Sequence, residues 1–387
     1  MPQVIVIGGS LVGAAAACAL RLQGAAVQVV EARLESADAR WYALSLASQA
    51  LLARLGVWDL LTPIQQRPYT RMQVWEAAAR VNFSAAEAGV PCLGYLVSHA
   101  GLLDALWQRL AQLAIPVHPA RLHRLQLAPE TAQAHLSDGS VIAAQLVIGA
   151  DGADSYTREQ AQIAVWRRDY GQQAVFAVVT HNVAHAQTAR QRFLPTGPLA
   201  LLPLPDERQS ALVWTLPQAQ AQAILALDEA EFIMQLQAAS AGAVGLITAV
   251  SPRRGFALRA QQAVTYTALR LALLGDAAHV VHPLAGQGVN LGLLDVAALA
   301  EALRGQWDWG NRLALRHYER LRCADNAMIS LAMDGLNWLF AEAWLGELRR
   351  RGMQGVEQQP RLKRQLAQAA VGLRPPKTLL TTLNWNF

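Results

Sequence analysis

The turn Gly8-Gly9-Ser10-Leu11-Val12-Gly13 has the composition and spacing of a site for a dinucleotide phosphate. It lies between a short apolar run and an alanine-rich stretch, an order that predicts strand, turn and helix. Gly8 and Gly13 allow the tight bend and the close helix packing that such a turn needs. Ser10 replaces the usual second glycine, but its N–H still lies at a helix N-terminus, where anions bind. Glu31 ends the next predicted strand, 18 residues after Gly13, at about the spacing of an acid that binds adenosine ribose.

Two further segments place acids and glycines where predicted strands end. Asp151 and Gly152 follow one apolar run, and Gly275 and Asp276 follow another, shortly before the loop Pro283-Leu284-Ala285-Gly286-Gln287-Gly288-Val289-Asn290. An aspartate at a strand end can bind ribose or ribitol hydroxyls, and glycines let a loop lie flat against a planar ring. Taken singly, the first turn also fits a strand-helix-strand unit without a ligand, and Asp-Gly fits an ordinary turn. Together the three segments favour a dinucleotide with a planar ring.

The composition indicates a globular protein that does not bind nucleic acid. The chain has 387 residues, of which 53% are hydrophobic, so it is long enough for two packed domains. The formal net charge of +5 comes almost wholly from arginine, since Lys363 and Lys377 are the only lysines. The arginines are scattered, and no basic stretch interleaved with aromatic residues precedes the C-terminal third. We therefore expect no nucleic-acid partner.

The cysteines and histidines predict neither a disulfide framework nor a metal site. Cys18, Cys92 and Cys323 are few and far apart, which is typical of a reducing compartment. His279 and His282 have no nearby set of carboxylates or thiols to complete a metal site. The chain enters its first predicted strand at once and has no apolar run of about 20 residues. We therefore expect a cytoplasmic protein, at most attached to a membrane surface.

The three segments together resemble those of the group A flavoprotein aromatic hydroxylases. They read GGSLVG at 8–13, GADGADSYTR at 149–158 and LLGDAAHVVHPLAGQGVNLGLLDV at 273–296. The third is similar to the ubiquinone-biosynthesis branch, which carries HPLAGQGxNLGxxD. The stretches LLARLGVWDLL at 51–61, RMQVWEAAARVNF at 71–83 and LGYLVSHAGLLDALWQ at 93–108 are similar to the benzoquinol hydroxylases of that branch. The resemblance covers nearly the whole chain.

The resemblance implies an α/β fold with a discontinuous organisation. A Rossmann-like FAD-binding domain with a mostly parallel sheet would comprise residues 1–70, 97–171 and 266–308. An interleaved substrate domain with a mixed or antiparallel sheet would comprise 71–96 and 172–265. The remaining residues, 309–387, would form C-terminal helices.

The resemblance also implies FAD as the cofactor and NAD(P)H and O₂ as co-substrates. A flavin hydroperoxide would hydroxylate the aromatic ring of a polyprenyl phenol or benzoquinol, so no side chain is assigned as nucleophile, acid or base. The residues implied to bind the cofactor are Gly8, Ser10, Leu11, Val12, Gly13, Glu31, Arg40, Asp151, Gly152, Gly275 and Asp276, with the loop 283–290 beside the flavin ring. Alternatives are a group A hydroxylase acting on another aromatic substrate and a non-catalytic FAD-binding scaffold.

Four residues are candidates for the substrate pocket, namely Trp75, Tyr95, Pro203 and Trp214; the aromatic three also fit an ordinary core. Near the C-terminus an apolar stripe precedes a run of basic residues. The stripe comprises Leu331, Leu336, Leu339, Phe340 and Trp344, and the basic residues are Arg349, Arg350, Arg351, Arg361, Lys363 and Arg364. This pattern fits contact with the inner-membrane surface or with other ubiquinone-biosynthesis proteins, and equally a helix that closes the core. A homo-oligomer is also compatible with the sequence.

Overall fold

The computed structural model describes residues 2–32, 40–281 and 287–372. Its strands, in chain order, are β1 Val4–Ile7, β2 Val27–Val30, β3 Trp41–Leu44, β4 Gln66–Tyr69, β5 Arg71–Glu76, β6 Ala79–Ser84, β7 Gly94–Ser98, β8 Val117–His118, β9 Leu122–Leu127, β10 Ala132–Leu136, β11 Val141–Ala144, β12 Leu146–Gly149, β13 Val165–His181, β14 Thr188–Leu194, β15 Gly197–Pro203, β16 Gln209–Pro217, β17 Ile247–Val250, β18 Arg254–Ala263, β19 Thr267–Ala268, β20 Leu271–Leu273 and β21 His279–Val280. Its α-helices are α1 Leu11–Leu22, α2 Leu46–Arg54, α3 Ala85–Ala88, α4 His99–Gln112, α5 Tyr156–Gln160, α6 Gln218–Ala226, α7 Glu229–Ser240, α8 Gln287–Leu303, α9 Arg312–Ala341, α10 Gly346–Gln358 and α11 Pro360–Ala370.

A six-stranded sheet carries the three segments that the sequence singled out. Its order is β19-β20-β12-β1-β2-β8, and every neighbouring pair except β19 with β20 is parallel. Strand β1 is fully buried and apolar, as a central parallel strand must be. Helix α1 packs closely on the sheet because its central residues, 14–17, are all alanines with no more than 1% exposure. The carboxyl ends of β1, β12 and β20 therefore meet at one edge.

A nine-stranded sheet forms the second layer, in the order β21-β18-β13-β16-β15-β14-β5-β6, with β17 paired to β13. Most neighbours are antiparallel, and β14 with β5 is parallel. The mixed α/β fold with C-terminal helices is thus confirmed. The division into domains stays a prediction: β13 crosses its boundary at residue 171, and β21 joins this sheet from within 266–308.

The two faces of the nine-stranded sheet have different neighbours. One face packs against α6 and α7 through a buried cluster that includes Leu199, Leu212 and Phe232. We call this the helix-covered face. The opposite face carries Phe176 and Phe256, together with Trp41 from β3 of the small sheet β3-β7-β4. We call it the cleft face, because it is turned toward the segment that follows Arg40.

The C-terminal helices pack on the strands at the far end of the sheet. Met353 of α10 joins Ala79 and Val81 of β6, and Ala367 of α11 joins Ala85 and Leu93. Among the described residues, no helix combines the length and apolar character that crossing a membrane requires. The end of the predicted C-terminal region, 373–387, lies outside the described residues.

Candidate active site

The first turn has no room for side chains at its two key glycines. Gly8 has a φ of +101°, and a Cβ there would lie 2.4 Å from the Ala150 carbonyl oxygen. A Cβ on Gly13 would lie 1.9 Å from the Gly8 carbonyl oxygen. Because both close neighbours are backbone atoms, they cannot move aside as a flexible side chain would. Strand β1, helix α1 and the end of β12 can approach this closely only with glycine at both positions.

Ser10 is the N-cap of α1 and is exposed, but its side chain makes no capping hydrogen bond. The first helical turn contains no acidic side chain, so the positive end of the helix dipole is available to an anion. Next to it, the Gly9 N–H donates to Glu31 Oε2 across 2.7 Å, which joins the acid at the end of β2 to the turn. Leu11 is buried, and Val12 packs against Gly292, where a Cβ would lie 2.5 Å from Val12 Cγ2.

The Asp151 carboxylate stabilises its own turn. One oxygen accepts from the Ser155 hydroxyl, and the other accepts from the N–H and the hydroxyl of Thr157, both at 2.9 Å. Gly152 beside it has a φ of +87°. These bonds use both carboxylate oxygens to fix the loop that touches Gly8.

Arg158 links the second segment to the third. It is 3% exposed and donates to the Ala153 carbonyl at 3.0 Å and to the Ala277 carbonyl at 2.8 Å. These contacts lie inside the protein, so the guanidinium ties two loops together. Residues 119 apart in sequence thereby meet at one edge of the six-stranded sheet.

The Asp276 side chain is exposed to solvent, but many protein atoms lie around it. Such surroundings are those of a residue on the wall of a cleft. Desolvation raises the pKa of its carboxyl group, while His279, Arg40 and Arg259 partly oppose the rise. Gly275 before it has a φ of +57°. An acid in this position can accept hydrogen bonds from ligand hydroxyls, as the sequence predicted.

A buried polar network beneath this turn was missed by sequence reasoning. The Asp295 carboxylate accepts from the Gly275 N–H at 3.0 Å, from Arg322 Nε at 2.8 Å and from Asn326 Nδ2 at 3.3 Å, and it pairs with His279 Nε2. Burial opposes the charge on Asp295, but His279 and Arg322 outweigh it and lower its pKa to about 2. The one signal of this network in the sequence was Asp295 itself, a charged residue within the otherwise apolar run 291–300 of α8.

The loop predicted to face the flavin ring is described only in part. Residues 283–286 lie outside the described residues, and α8 begins at Gln287. Gly288 and Val289 are half-buried in its first turn. Asn290 accepts from the Ser45 N–H at 2.9 Å and the Ser48 hydroxyl at 2.7 Å, and donates to the Ala43 carbonyl at 2.8 Å. The start of α8 is therefore anchored to the segment that follows Arg40.

Arg40 lies between the nine-stranded sheet and the small sheet β3-β7-β4. Its guanidinium carbon is 5.2 Å from the centre of the Phe256 ring and 5.6 Å from that of Tyr42. It therefore bridges the cleft face of the nine-stranded sheet to the strand beside Asn290. The role of Arg40 near the pyrophosphate or the flavin stays a prediction.

The structure places three of the four predicted pocket residues on the helix-covered face. Trp214 lies in the core under α6 and α7, and Pro203 alternates onto the same face as Leu201. Trp75 of β5 is the register partner of Arg192 of β14, so both side chains lie on the same face of the sheet. That face is the helix-covered one, because the Arg192 guanidinium donates to carbonyls of α7. Because side chains alternate between the two faces along each strand, these three point away from Arg40. Residue type alone does not reveal which face a side chain occupies.

Tyr95, the fourth candidate, packs edge-on against Trp58 with ring centres 4.8 Å apart, beside the main core. Burial raises the pKa of its phenol to about 12, helped by Cys92. The cleft face instead offers a set of partly exposed apolar side chains around the buried Phe176: Trp41, Val178, Leu202, Val213 and Phe256.

The residues present fit the cofactor that the resemblance implies. The first turn supplies helix N–H groups without a Cβ at either glycine, Glu31 and Asp276 supply acids for hydroxyl groups, and α8 begins at the same edge. Over residues 1–328 the sequence matches the family described as FAD binding domain. The chain belongs to this family.

Relatives of this FAD-binding protein are similar over nearly their whole length. Ubiquinone hydroxylase UbiL of Rhodospirillum rubrum is 39% identical over 385 residues, covering 95% of this chain and 89% of the relative. The 3-demethoxyubiquinol 3-hydroxylase of Escherichia coli is 36% identical over 395 residues, covering 96% and 98%. This flavoprotein is an FAD-dependent monooxygenase.

Solved structures share its fold. Pseudomonas aeruginosa PqsL in complex with 2-aminobenzoylacetate has a TM-score of 0.79 at 25% identity, covering 92% of this chain and all of PqsL. Klebsiella pneumoniae HpxO complexed with FAD and uric acid also has a TM-score of 0.79, at 23% identity, covering 96% of this chain and 97% of HpxO. At this identity the second likeness supports the fold alone.

Proposed function

We propose that the flavoprotein hydroxylates the aromatic ring of a polyprenyl phenol or benzoquinol intermediate of ubiquinone biosynthesis, with NAD(P)H and O₂ as co-substrates. The near full-length similarity to two relatives named for ubiquinone hydroxylation carries this proposal. It is supported by the apolar side chains of the cleft face, which suit a substrate ring with a long hydrocarbon tail.

The residues of the three segments have distinct roles in this proposal. Gly8 and Gly13 would allow the ADP phosphates to approach α1, where the Ser10 N–H would be available to donate to them. Glu31 and Asp276 accept from sugar and ribitol hydroxyls. The loop 283–290 would lie beside the flavin ring, and the bonds of Asn290 hold the start of α8, with which this loop ends. The flavin, once reduced, supplies the oxygen-activating chemistry, so the protein has to orient the ring and exclude water.

The cleft face orients the substrate ring in this proposal. Phe256 contacts Arg40, and Trp41 joins the same apolar cluster as Phe176 and Val213. Trp41 comes from the small sheet β3-β7-β4 and the other three from the nine-stranded sheet, so a ring bound among them would have protein on two sides. We assign no side chain as general acid or base.

Product analysis separates this proposal from its two alternatives. The purified protein, loaded with FAD, is reduced anaerobically by NADPH and then given O₂ with a demethoxyquinol analogue. A ring-hydroxylated product that matches NADPH consumption is expected. Oxidation of NADPH without product would indicate another aromatic substrate, and absence of reduction would indicate a scaffold. Growth rescue of ubiquinone-deficient hydroxylase mutants would then identify the ring position.

We also propose that a row of exposed apolar side chains contacts the inner-membrane surface. Met328 and Leu331 of α9 are each 71% exposed, Trp338 is 55% exposed and Trp344 is 73% exposed. Much of the predicted basic cluster is already paired: Arg349 with Glu76, Arg350 and Arg351 with Glu347, and Lys363 with Glu87 and Glu357. Apolar insertion rather than charge would therefore dominate the binding.

Vesicle co-sedimentation tests the membrane proposal. The double variant L331S/W338S should bind phosphatidylethanolamine–phosphatidylglycerol vesicles several-fold more weakly than the parent protein. Trp307→Ser, which changes a 96% exposed residue outside the row, is the matched control and should bind as the parent does. Equal binding by the double variant would contradict the proposal. Binding of another biosynthetic protein that the double variant loses, with no vesicle binding at all, would assign the row to a protein partner.

A further inference from the structure

A groove opens between the C-terminal helix α9 and the hairpin formed by β14 and β15. Its apolar walls are Phe193, Leu194, Pro198 and Phe340, and its polar residues are Gln172 and Asn337. The rings of Phe193 and Phe340 stack with their centres 3.6 Å apart and so close one end. In the described part of the chain, no charged side chain lines this groove.

The groove lies on the cleft face of the nine-stranded sheet. Phe193 is paired with Pro198, and alternation along β15 puts Pro198, Ala200 and Leu202 on the same side. Leu202 belongs to the apolar cluster around Phe176. Four residue-to-residue steps along the extended strand lead from Leu202 to Pro198, about 13 Å at roughly 3.3 Å per step.

Two neighbouring strands run alongside this path. On β13, Phe176, Ala174 and Gln172 share the cleft face, and Gln172 reaches the groove. On β16, Val213 and Thr215 do the same, because Val213 is paired with Phe176 and Thr215 with Ala174. A strip that is apolar except for Gln172 and Thr215 therefore leads from the cluster beside Arg40 to the groove at α9.

The far end of the groove meets the exposed apolar row of α9. Leu336 and Trp338, on either side of the groove residue Asn337, are 39% and 55% exposed. A ligand that extends along the strip would thus leave the protein beside side chains suited to a hydrocarbon phase. The groove has no charged side chain among its described lining residues, and its mostly apolar walls fit a polyisoprenoid chain.

We propose that this groove and the strip leading to it bind the polyprenyl tail of the substrate, while the ring lies near Phe256. The tail site rests on the proposed function for the identity of its ligand. The isoprenoid chain lies along Leu202, Ala200 and Pro198, passes beside the stacked rings of Phe193 and Phe340 and leaves between β15 and α9. The site therefore adds affinity that grows with tail length until the groove is filled.

Binding of a ring-free probe tests the site without any turnover. Farnesol is added to the FAD-loaded protein, and affinity is measured by calorimetry while hydrogen exchange locates the contact. Protection is expected over β14, β15 and the end of α9. Ala200→Phe narrows the strip, and Asn337→Trp fills the groove from the half-buried surface of α9, so each should weaken binding about tenfold or more. Ala249→Phe, an exposed position on β17, is the matched control and should bind as the parent does.

Turnover separates this inference from the proposed function. With a quinol that carries a prenyl tail, both groove variants should raise KM about tenfold, whereas a tail-free quinol should keep its KM. If neither quinol is hydroxylated by the parent protein, the proposed function fails, and the farnesol result still decides the groove. If farnesol protects other segments, or both groove variants bind it like the parent, the tail site is overturned. Because Asn337→Trp leaves the sheet untouched, misfolding of Ala200→Phe would not obscure the outcome.

Discussion

Arg322 of α9 donates its Nε–H to Asp295 of α8 across 2.8 Å, in a pair whose side chains are 2% and 0% exposed. The same carboxylate accepts from the Gly275 N–H, so the pair couples the C-terminal helix to the turn that presents Asp276. Removing one partner of a buried ion pair leaves the other charge without compensation.

Arg322→Met should therefore lower the free energy of unfolding by about 3–5 kcal/mol. Urea denaturation followed by circular dichroism measures the change. The charge-conserving Arg322→Lys should lose less, because it keeps the charge but not the geometry of the guanidinium. A methionine variant as stable as the parent would show that the pair contributes no net stability.

The lowered pKa of Asp295, about 2, predicts a particular acid sensitivity. A carboxyl whose pKa is lower in the folded state stabilises the fold above its unfolded pKa and loses that contribution as the pH falls through its folded pKa. Between about pH 4 and pH 2 the parent should lose about 2 kcal/mol more than Asp295→Asn, which cannot titrate there. Unfolding free energies at several pH values measure the difference. Parallel pH profiles would contradict the assignment.

Gly13→Ala should lower the free energy of unfolding by at least about 1–3 kcal/mol, because the new Cβ would meet the Gly8 carbonyl oxygen. The same clash should reduce the FAD content of the purified protein. Thermal unfolding and the ratio of flavin to protein absorbance measure both effects. Gly352→Ala is the matched exchange in α10, where a Cβ meets open space, and should gain up to about 1 kcal/mol. Equal FAD content in both variants would refute the steric requirement.

Ser10→Gly should keep its FAD affinity within about 1 kcal/mol of the parent, since the N–H at the helix N-terminus remains and the hydroxyl makes no capping bond. Titration of the apoprotein with FAD measures it. A larger loss would show that the hydroxyl itself binds phosphate.

The two faces of the nine-stranded sheet should respond differently to mutation. Phe256→Ala, on the cleft face, should raise the KM for a quinol about tenfold. Trp214→Phe, on the helix-covered face, should lower the melting temperature and leave KM within about twofold. Steady-state kinetics and thermal unfolding of both variants check this. The reverse pattern would return the ring site to Trp214.

Much of the site follows from short stretches of sequence. Gly8 and the acids at 31, 151 and 276 lie just after strand ends of one sheet, and Gly13 lies in the first turn of α1, where sequence spacing predicts them. Spacing identifies them because a tight turn and a strand end are local features. Spacing did not predict that the Asp151 carboxylate accepts hydrogen bonds from within its own turn, because those bonds depend on how the turn folds.

By itself the sequence determined the order of strand, glycine turn and helix, since local backbone geometry requires glycine at those positions, and its resemblance to the flavoprotein hydroxylases predicted the mixed α/β fold and FAD as cofactor. Only the tertiary structure decided which sheet face Trp75 and Trp214 occupy, and which partner compensates the charge on Asp295. A tryptophan suits either face of a strand, and a buried carboxylate is compensated by whichever cation the packing brings near. Those outcomes depend on the contacts between elements, which residue type and spacing do not encode.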